Sequence, residues 1–160
     1  NFIGASAQIN KDESSWVVFF RDHRLGAQHA LLRSNGRSTR ALDTGLDALR
    51  NRLHALLPDE GVSLLHGDLW SGNKMTSQCN EAVLIDPAVY FGSREADLAM
   101  TELFGGFRAS FYDAYNEVLP LDADFHERKD LYNLYHVLNH ANLFGGGYVG
   151  QAEQIVRRYT

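Results

Sequence analysis

His66-Gly67-Asp68-Leu69-Trp70-Ser71-Gly72-Asn73 stands near the middle of the chain, and Ile85-Asp86-Pro87 follows it. An acidic side chain on a loop at the rim of a core can accept a proton from a hydroxyl, and Asp68 sits in such a place, after the apolar run 62–65. Asn73 comes five residues later, and Ser71-Gly72 lets the backbone bend so that both side chains can face one cavity. Asp86 ends the apolar stretch Val83-Leu84-Ile85. Pro87 then halts any strand ladder and leaves the Asp86 carboxylate at a sheet edge. Singly these residues say little, because an Asp before Pro is commonly a turn. Their ordered combination is much more specific.

Around this motif, residues 74–77 and 82–85 are short runs separated by Gln78-Cys79-Asn80-Glu81, a pattern that predicts a β-hairpin. Downstream, helices are predicted over about 95–105, 107–118, 124–143 and 148–159. Gly105-Gly106 and Gly145-Gly146-Gly147 break them, and Asp122 or Asp124 offers a cap for the third. Upstream, Leu42, Leu46, Leu49, Leu53, Leu56 and Leu57 repeat at helical spacing until Pro58-Asp59-Glu60-Gly61 stops them. Ser14-Ser15 offers N-cap oxygens to an earlier helix whose Trp16, Phe19, Phe20 and His23 share a core-facing stripe. Residues 1–13 lack a sustained period and read as loop. The expected fold is mainly α (α+β): one domain over 1–160, helical, with a small hairpin carrying the polar motifs. That suits a lobe of a larger fold better than a free-standing α/β enzyme.

With 44% hydrophobic and 22% charged residues, the 160-residue chain is globular and not disordered. Fifteen basic against twenty acidic side chains give a net charge of −5 with no Lys/Arg run, which argues against nucleic acid as a partner. No apolar stretch approaches the roughly 20 residues of a membrane span. The single cysteine, Cys79, precludes an internal disulfide and suits a reducing cytoplasm; it reads as a plain thiol. The chain does not open on Met and its last residues read as helix, so both ends are expected to be cut.

The interval from Asp68 to Asn73 resembles the protein-kinase catalytic loop H-R-D-L-x-x-x-N. There the Asp receives the substrate hydroxyl proton and the Asn oxygen ligates Mg²⁺. Asp86 resembles the Asp of D-F-G, which holds the same ion. More closely, HGDLWSGN at 66–73, IDPAVY at 85–90 and READLAM at 94–100 resemble the fructosamine (ketosamine) kinase family, relatives of the aminoglycoside and choline phosphotransferases. The likeness continues through NFIG at 1–4, WVVFFR at 16–21 and YHVLNHANLFGG at 135–146. It implies the C-terminal lobe of a protein-kinase-like fold that transfers the γ-phosphate of ATP to a sugar hydroxyl of a glycated amine or protein. By the same resemblance, Asp68 is the base, Asn73 and Asp86 hold Mg²⁺, and His66 and Asp97 support the loop. Nothing matches the family's N-terminal lobe: no strand-borne Lys follows a Gly-rich loop, and Lys11, Lys74 and Lys129 are in other contexts. A lobe without that phosphate grip is expected to have little activity alone.

Other readings stay open. Asp97 could simply be an acid favouring a helix dipole. Trp70 could wedge the loop or stack on a sugar. His136 and His140, at i and i+4, could seat a metal, but HVLNH is not H-E-x-x-H, and a role in packing or in lining a substrate cleft fits better; His136 is the candidate substrate contact. The acceptor could instead be an aminoglycoside or choline, or the chain could be a non-catalytic, pseudokinase-like binding lobe.

Overall fold

A computed structural model describes residues 1–58 and 61–160. The helical stop therefore survives only in part: Asp59 and Glu60 lie outside the described residues, and the long helix ends before Pro58. Among the described residues the architecture is mainly helical with three two-stranded antiparallel sheets.

Residues 1–13, read as loop, contain a small hairpin of β1 (Phe2–Ile3) and β2 (Ser6–Ala7) turning at Gly4, whose φ is +55°. Two-residue strands carry no readable period. A helical rod follows in three parts: α1 (Trp16–Phe19), a π-helical segment (Phe20–Gly26) and α2 (Ala27–Ser34). Ser15 takes the N-cap position in extended backbone without a capping side-chain bond. Trp16, Phe19 and Phe20 are buried as the stripe requires, and His23, half-buried, meets Glu13 at 2.7 Å.

The leucine period produces α3 (Arg40–Leu56). The Thr39 hydroxyl caps it by accepting from the Leu42 N–H, and Leu42, Leu46, Leu49 and Leu53 are fully buried. β3 (Ser63–Leu65) pairs with β6 (Tyr90–Gly92), a long-range match that no local pattern announces. Between them, β4 (Lys74–Thr76) and β5 (Ala82–Leu84) form the expected hairpin, with Lys74 opposite Leu84.

The rest is helix: α4 (Arg94–Leu103), α5 (Ala109–Val118), α6 (Phe125–Phe144) and α7 (Gly147–Tyr159). Asp124 stands at the start of α6, but it is Asp122 whose carboxylate accepts an N–H, that of Asp124. Helix α6 is the axis of the core. It packs on α2, α4 and α7 and buries residues around most of its circumference. Its polar residues are bonded across the interface, as Asn142 Nδ2 is to the Gln28 carbonyl at 2.9 Å and the Gln28 side chain at 2.8 Å. The Arg128 guanidinium grips the buried Glu95 carboxylate through two bonds of 2.6 and 2.9 Å, fixing α4 to α6. Among the described residues, no helix is long and apolar enough to cross a membrane.

Candidate active site

Two loops meet at the open ends of the β3–β6 ladder. One is 66–73; the other, 85–89, leads into β6. They approach so closely at Gly67 (φ +81°) that a Cβ there would lie 2.0 Å from the Ala88 carbonyl oxygen, so the position admits only glycine. The Ala88 N–H donates to the His66 carbonyl at 2.8 Å. His66 ties the loops by its ring as well. Nε2 donates to the Ile85 carbonyl at 3.0 Å, which leaves Nδ1 to accept from the Asp68 N–H at 3.3 Å.

Asp97 reaches this junction from the first turn of α4. Its two carboxylate oxygens accept the backbone N–H groups of His66 (2.7 Å) and Gly67 (2.9 Å). A helix-dipole acid would make no such pair of bonds to a distant loop. Burial raises the Asp97 pKa, and the two N–H groups oppose that rise.

Asp68 and Asn73 face each other across the loop. The Asn73 amide nitrogen donates to the Asp68 carbonyl at 2.9 Å and to its carboxylate at 3.1 Å. Asp68 is half-buried, and burial pushes its carboxyl above the ordinary carboxylate range, with the Asn73 bond pulling the other way. Since the nitrogen of Asn73 is engaged, its side-chain oxygen is the atom left for a ligand.

The hairpin delivers Asp86. The Ile85 N–H donates to the Asn73 carbonyl at 3.0 Å, so Asn73 and Asp86 stand one residue apart across the β4–β5 ladder. Asp86 is exposed and has φ +51°. A residue before proline is normally driven into extended backbone, and a left-handed non-glycine residue costs about 1–3 kcal/mol. Asn80, the other non-glycine residue with positive φ among those described, sits in the hairpin turn. The strain at Asp86 has no such turn to explain it. The Asp86 carboxylate and the Asn73 amide oxygen are hard donors of the type Mg²⁺ takes, an ion that usually has one or two protein ligands and completes its shell with phosphates and water.

Beside Asp68 lies a cleft of about 430 Å³ whose walls include Trp70, Phe104, His136, His140, Phe144 and Tyr148. Trp70 folds its ring over the Gly72 backbone, where a Cβ would come within 2.3 Å, and meets Phe104 edge-on at 6.0 Å. It therefore wedges the loop and lines the cleft at once. His136 is buried, and that burial, reinforced by His140 and Arg24, holds its pKa down at about 3, so the ring is neutral. His140 donates from Nδ1 to the His136 carbonyl at 2.8 Å and lies 5.1 Å from both Phe104 and Tyr148. The sequence reading missed Phe104, Phe144 and Tyr148 as cleft residues. The spacing 136, 140, 144 along α6 is the one signal that could have grouped part of this wall. Tyr132 and Tyr135, on the same helix, belong to the core.

The family model for fructosamine kinase matches residues 1–160. A Vibrio parahaemolyticus protein described as a ketoamine kinase is 45% identical over 158 residues, covering 99% of this chain and 54% of the relative. A chloroplastic protein-ribulosamine 3-kinase of Arabidopsis thaliana is 43% identical over 161 residues, covering 99% of this chain and 49% of the relative. A Thermobifida fusca crystal structure described as a fructosamine-3-kinase superposes with a TM-score of 0.90 at 34% identity, over 99% of this chain and 55% of that one. The chain thus spans about half the length of the curated relatives it matches.

Proposed function

The chain belongs to the fructosamine kinase family, and from that premise we propose that it carries the catalytic loop and metal-binding strand end of an ATP-dependent phosphotransferase acting on a sugar hydroxyl of glycated amines. The observation that carries this reading is the Asn73 bridge: its amide nitrogen holds the Asp68 carboxylate, while its carbonyl accepts the N–H of Ile85, the residue before Asp86.

Asp68 is the base. Its carboxylate takes the proton from the acceptor hydroxyl as that oxygen bonds to the γ-phosphorus and the bond to the ADP oxygen breaks. Asn73 aims the carboxylate, and Asp97 and His66 keep the loop in place beneath it. Asn73 Oδ1 and the Asp86 carboxylate would hold Mg²⁺, which when bound neutralises charge on the transferring phosphates. Trp70 and His136 wall the acceptor site. A neutral imidazole there can share a hydrogen bond with a sugar hydroxyl and does not repel a cationic amine. The chain by itself is expected to turn over little, because these 160 residues contain no second phosphate grip.

Binding is therefore the direct test. Calorimetry with Mg²⁺ and a non-hydrolysable ATP analogue should give heat that Asp86→Ala abolishes. Glycated lysine should bind in preference to an aminoglycoside or choline, and Trp70→Ala should weaken it. Equal binding by the Asp86 variant would overturn the metal assignment. Preference for choline or an aminoglycoside would overturn the acceptor, and silence in every titration would favour a non-catalytic lobe.

A further inference from the structure

Arg24, in the π-helical segment, is fully buried. Among the described residues no carboxylate comes within ion-pair distance of it. Burying an uncompensated charge is strongly unfavourable, even after relaxation. The offsetting contacts are unusual: the guanidinium lies over Tyr90 at 4.0 Å, Phe19 at 4.5 Å and Tyr135 at 5.4 Å. Its nitrogens donate to the Ile9 carbonyl (2.7 Å), the His23 carbonyl (3.1 Å) and Asn10 Oδ1 (2.8 Å), while Nε stays buried and unpaired. An apolar side chain of equal volume would fill this space without the desolvation penalty. What it could not do is hold Asn10.

Asn10 passes the contact on. With its oxygen on Arg24, its amide nitrogen donates to the Val89 carbonyl (3.2 Å) and to Asn1 Oδ1 (2.8 Å), and the Asn1 amide donates to the same Val89 carbonyl at 2.7 Å. Val89 is three residues beyond Asp86, and Tyr90, beneath the guanidinium, is the next residue. The strained segment is thus gripped from one side by His66, through Ala88, and from the other by Arg24, through Asn10 and Tyr90. A left-handed residue before proline persists only where its surroundings fix it. We propose that Arg24 and Asn10 are positioning residues that lock Asp86 in its left-handed, ligand-presenting conformation. This rests on the phosphotransferase reading of Asp86 and extends it to residues outside the 66–73 and 85–89 loops.

Asn10→Asp separates this role from simple structural support. It keeps an oxygen for Arg24 and adds an opposite charge, so the fold should be as stable or more so, but it offers no donor to Val89 or Asn1. The expected result is an unchanged or higher Tm, faster hydrogen exchange at the Ile85 and Ala88 amides, and a loss in Mg²⁺ affinity with a non-hydrolysable ATP analogue of roughly 10- to 100-fold, the range for ligand-orienting partners. Arg24→Met should give the same loss, and Arg24→Lys, which cannot fork between Ile9 and Asn10, should not rescue it. Wild-type exchange and wild-type Mg²⁺ affinity in Asn10→Asp would overturn the proposal. If the unaltered protein itself shows no Mg²⁺-dependent heat, the phosphotransferase reading fails separately; accelerated exchange would then leave Asn10 as a clamp on the loop and nothing more.

Discussion

A carboxylate can take a proton only when its own is gone, so the environment of Asp68 sets the acid limit of the chemistry proposed for it. Burial lifts its pKa and the Asn73 bond restrains the rise. Its base form is therefore lost, as pH falls, earlier than an exposed aspartate's would be. Carboxyl-carbon NMR of this residue should titrate above the ordinary carboxylate range, and Asn73→Ala, which removes the restraint, should move the midpoint higher still. A fall in the Asn73→Ala variant would show that the bond does not favour the charged form. His136 behaves in the opposite sense. Its folded pKa of about 3 lies below the 6.5 of the free side chain, so the unfolded chain binds the extra proton first. The stability it contributes is whole above about 6.5 and disappears as pH falls toward about 3. Melting curves over that window should show a shallower pH dependence for His136→Gln than for the unaltered chain. Parallel slopes would mean that the ring is not shielded as the structure has it.

The elements divide by how locally they are encoded. Helix α3 is legible because four buried leucines repeat over its length, and β4–β5 because a short turn joins its strands. The π-helical segment and the β3–β6 ladder are not. The first depends on Arg24 finding ring faces on distant residues, the second on strands of three residues brought together across the whole loop-and-hairpin segment between them. Contact between elements also reverses a local preference at Gly45 in α3. Alanine there should gain roughly 1 kcal/mol of helix propensity. A Cβ, however, would lie 2.5 Å from Val156 Cγ1 of α7, and overpacking of this kind costs about 1–3 kcal/mol. Gly45→Ala is expected to lower Tm, and adding Val156→Ala should recover part of the loss. Strict additivity of the two changes in a double-mutant cycle would show that α7 shifts freely and that the contact is unimportant.

At the scale of the molecule, the motif residues were readable because Asp68, Asn73 and Asp86 lie within a single loop-and-hairpin unit, whereas the cleft wall draws on β1, α4, α6 and α7 and so had no compact signature. The same distribution sets where the structure should open. Helix α6 buries Leu131, Tyr132, Leu134, Tyr135, Val137 and Leu138 almost completely, whereas α5 has no buried residue and ends on Val118, which is 86% exposed. What holds α5 is the partly buried Phe111 and Tyr115 against the core, with polar contacts of the Tyr112 hydroxyl to Thr101 Oγ1 at 2.8 Å and, just past the helix, of the Arg94 guanidinium to the Leu119 and Pro120 carbonyls. Gly105 and Gly106, both at positive φ with open space around them, join it to α4. Elements with few buried apolar contacts open at a small fraction of the global free energy. Amides of α5 should therefore exchange fastest among the helices, and those at the centre of α6 only with global unfolding. Phe104 should not follow α5, because its carbonyl accepts from Ser71 Oγ at 3.3 Å and its ring packs on Trp70 and His140. The cleft wall would stay in place while α5 opens beyond the two glycines. Protection of α5 equal to that of α6, or exchange at residue 104 rising together with α5, would show that the two are one cooperative unit.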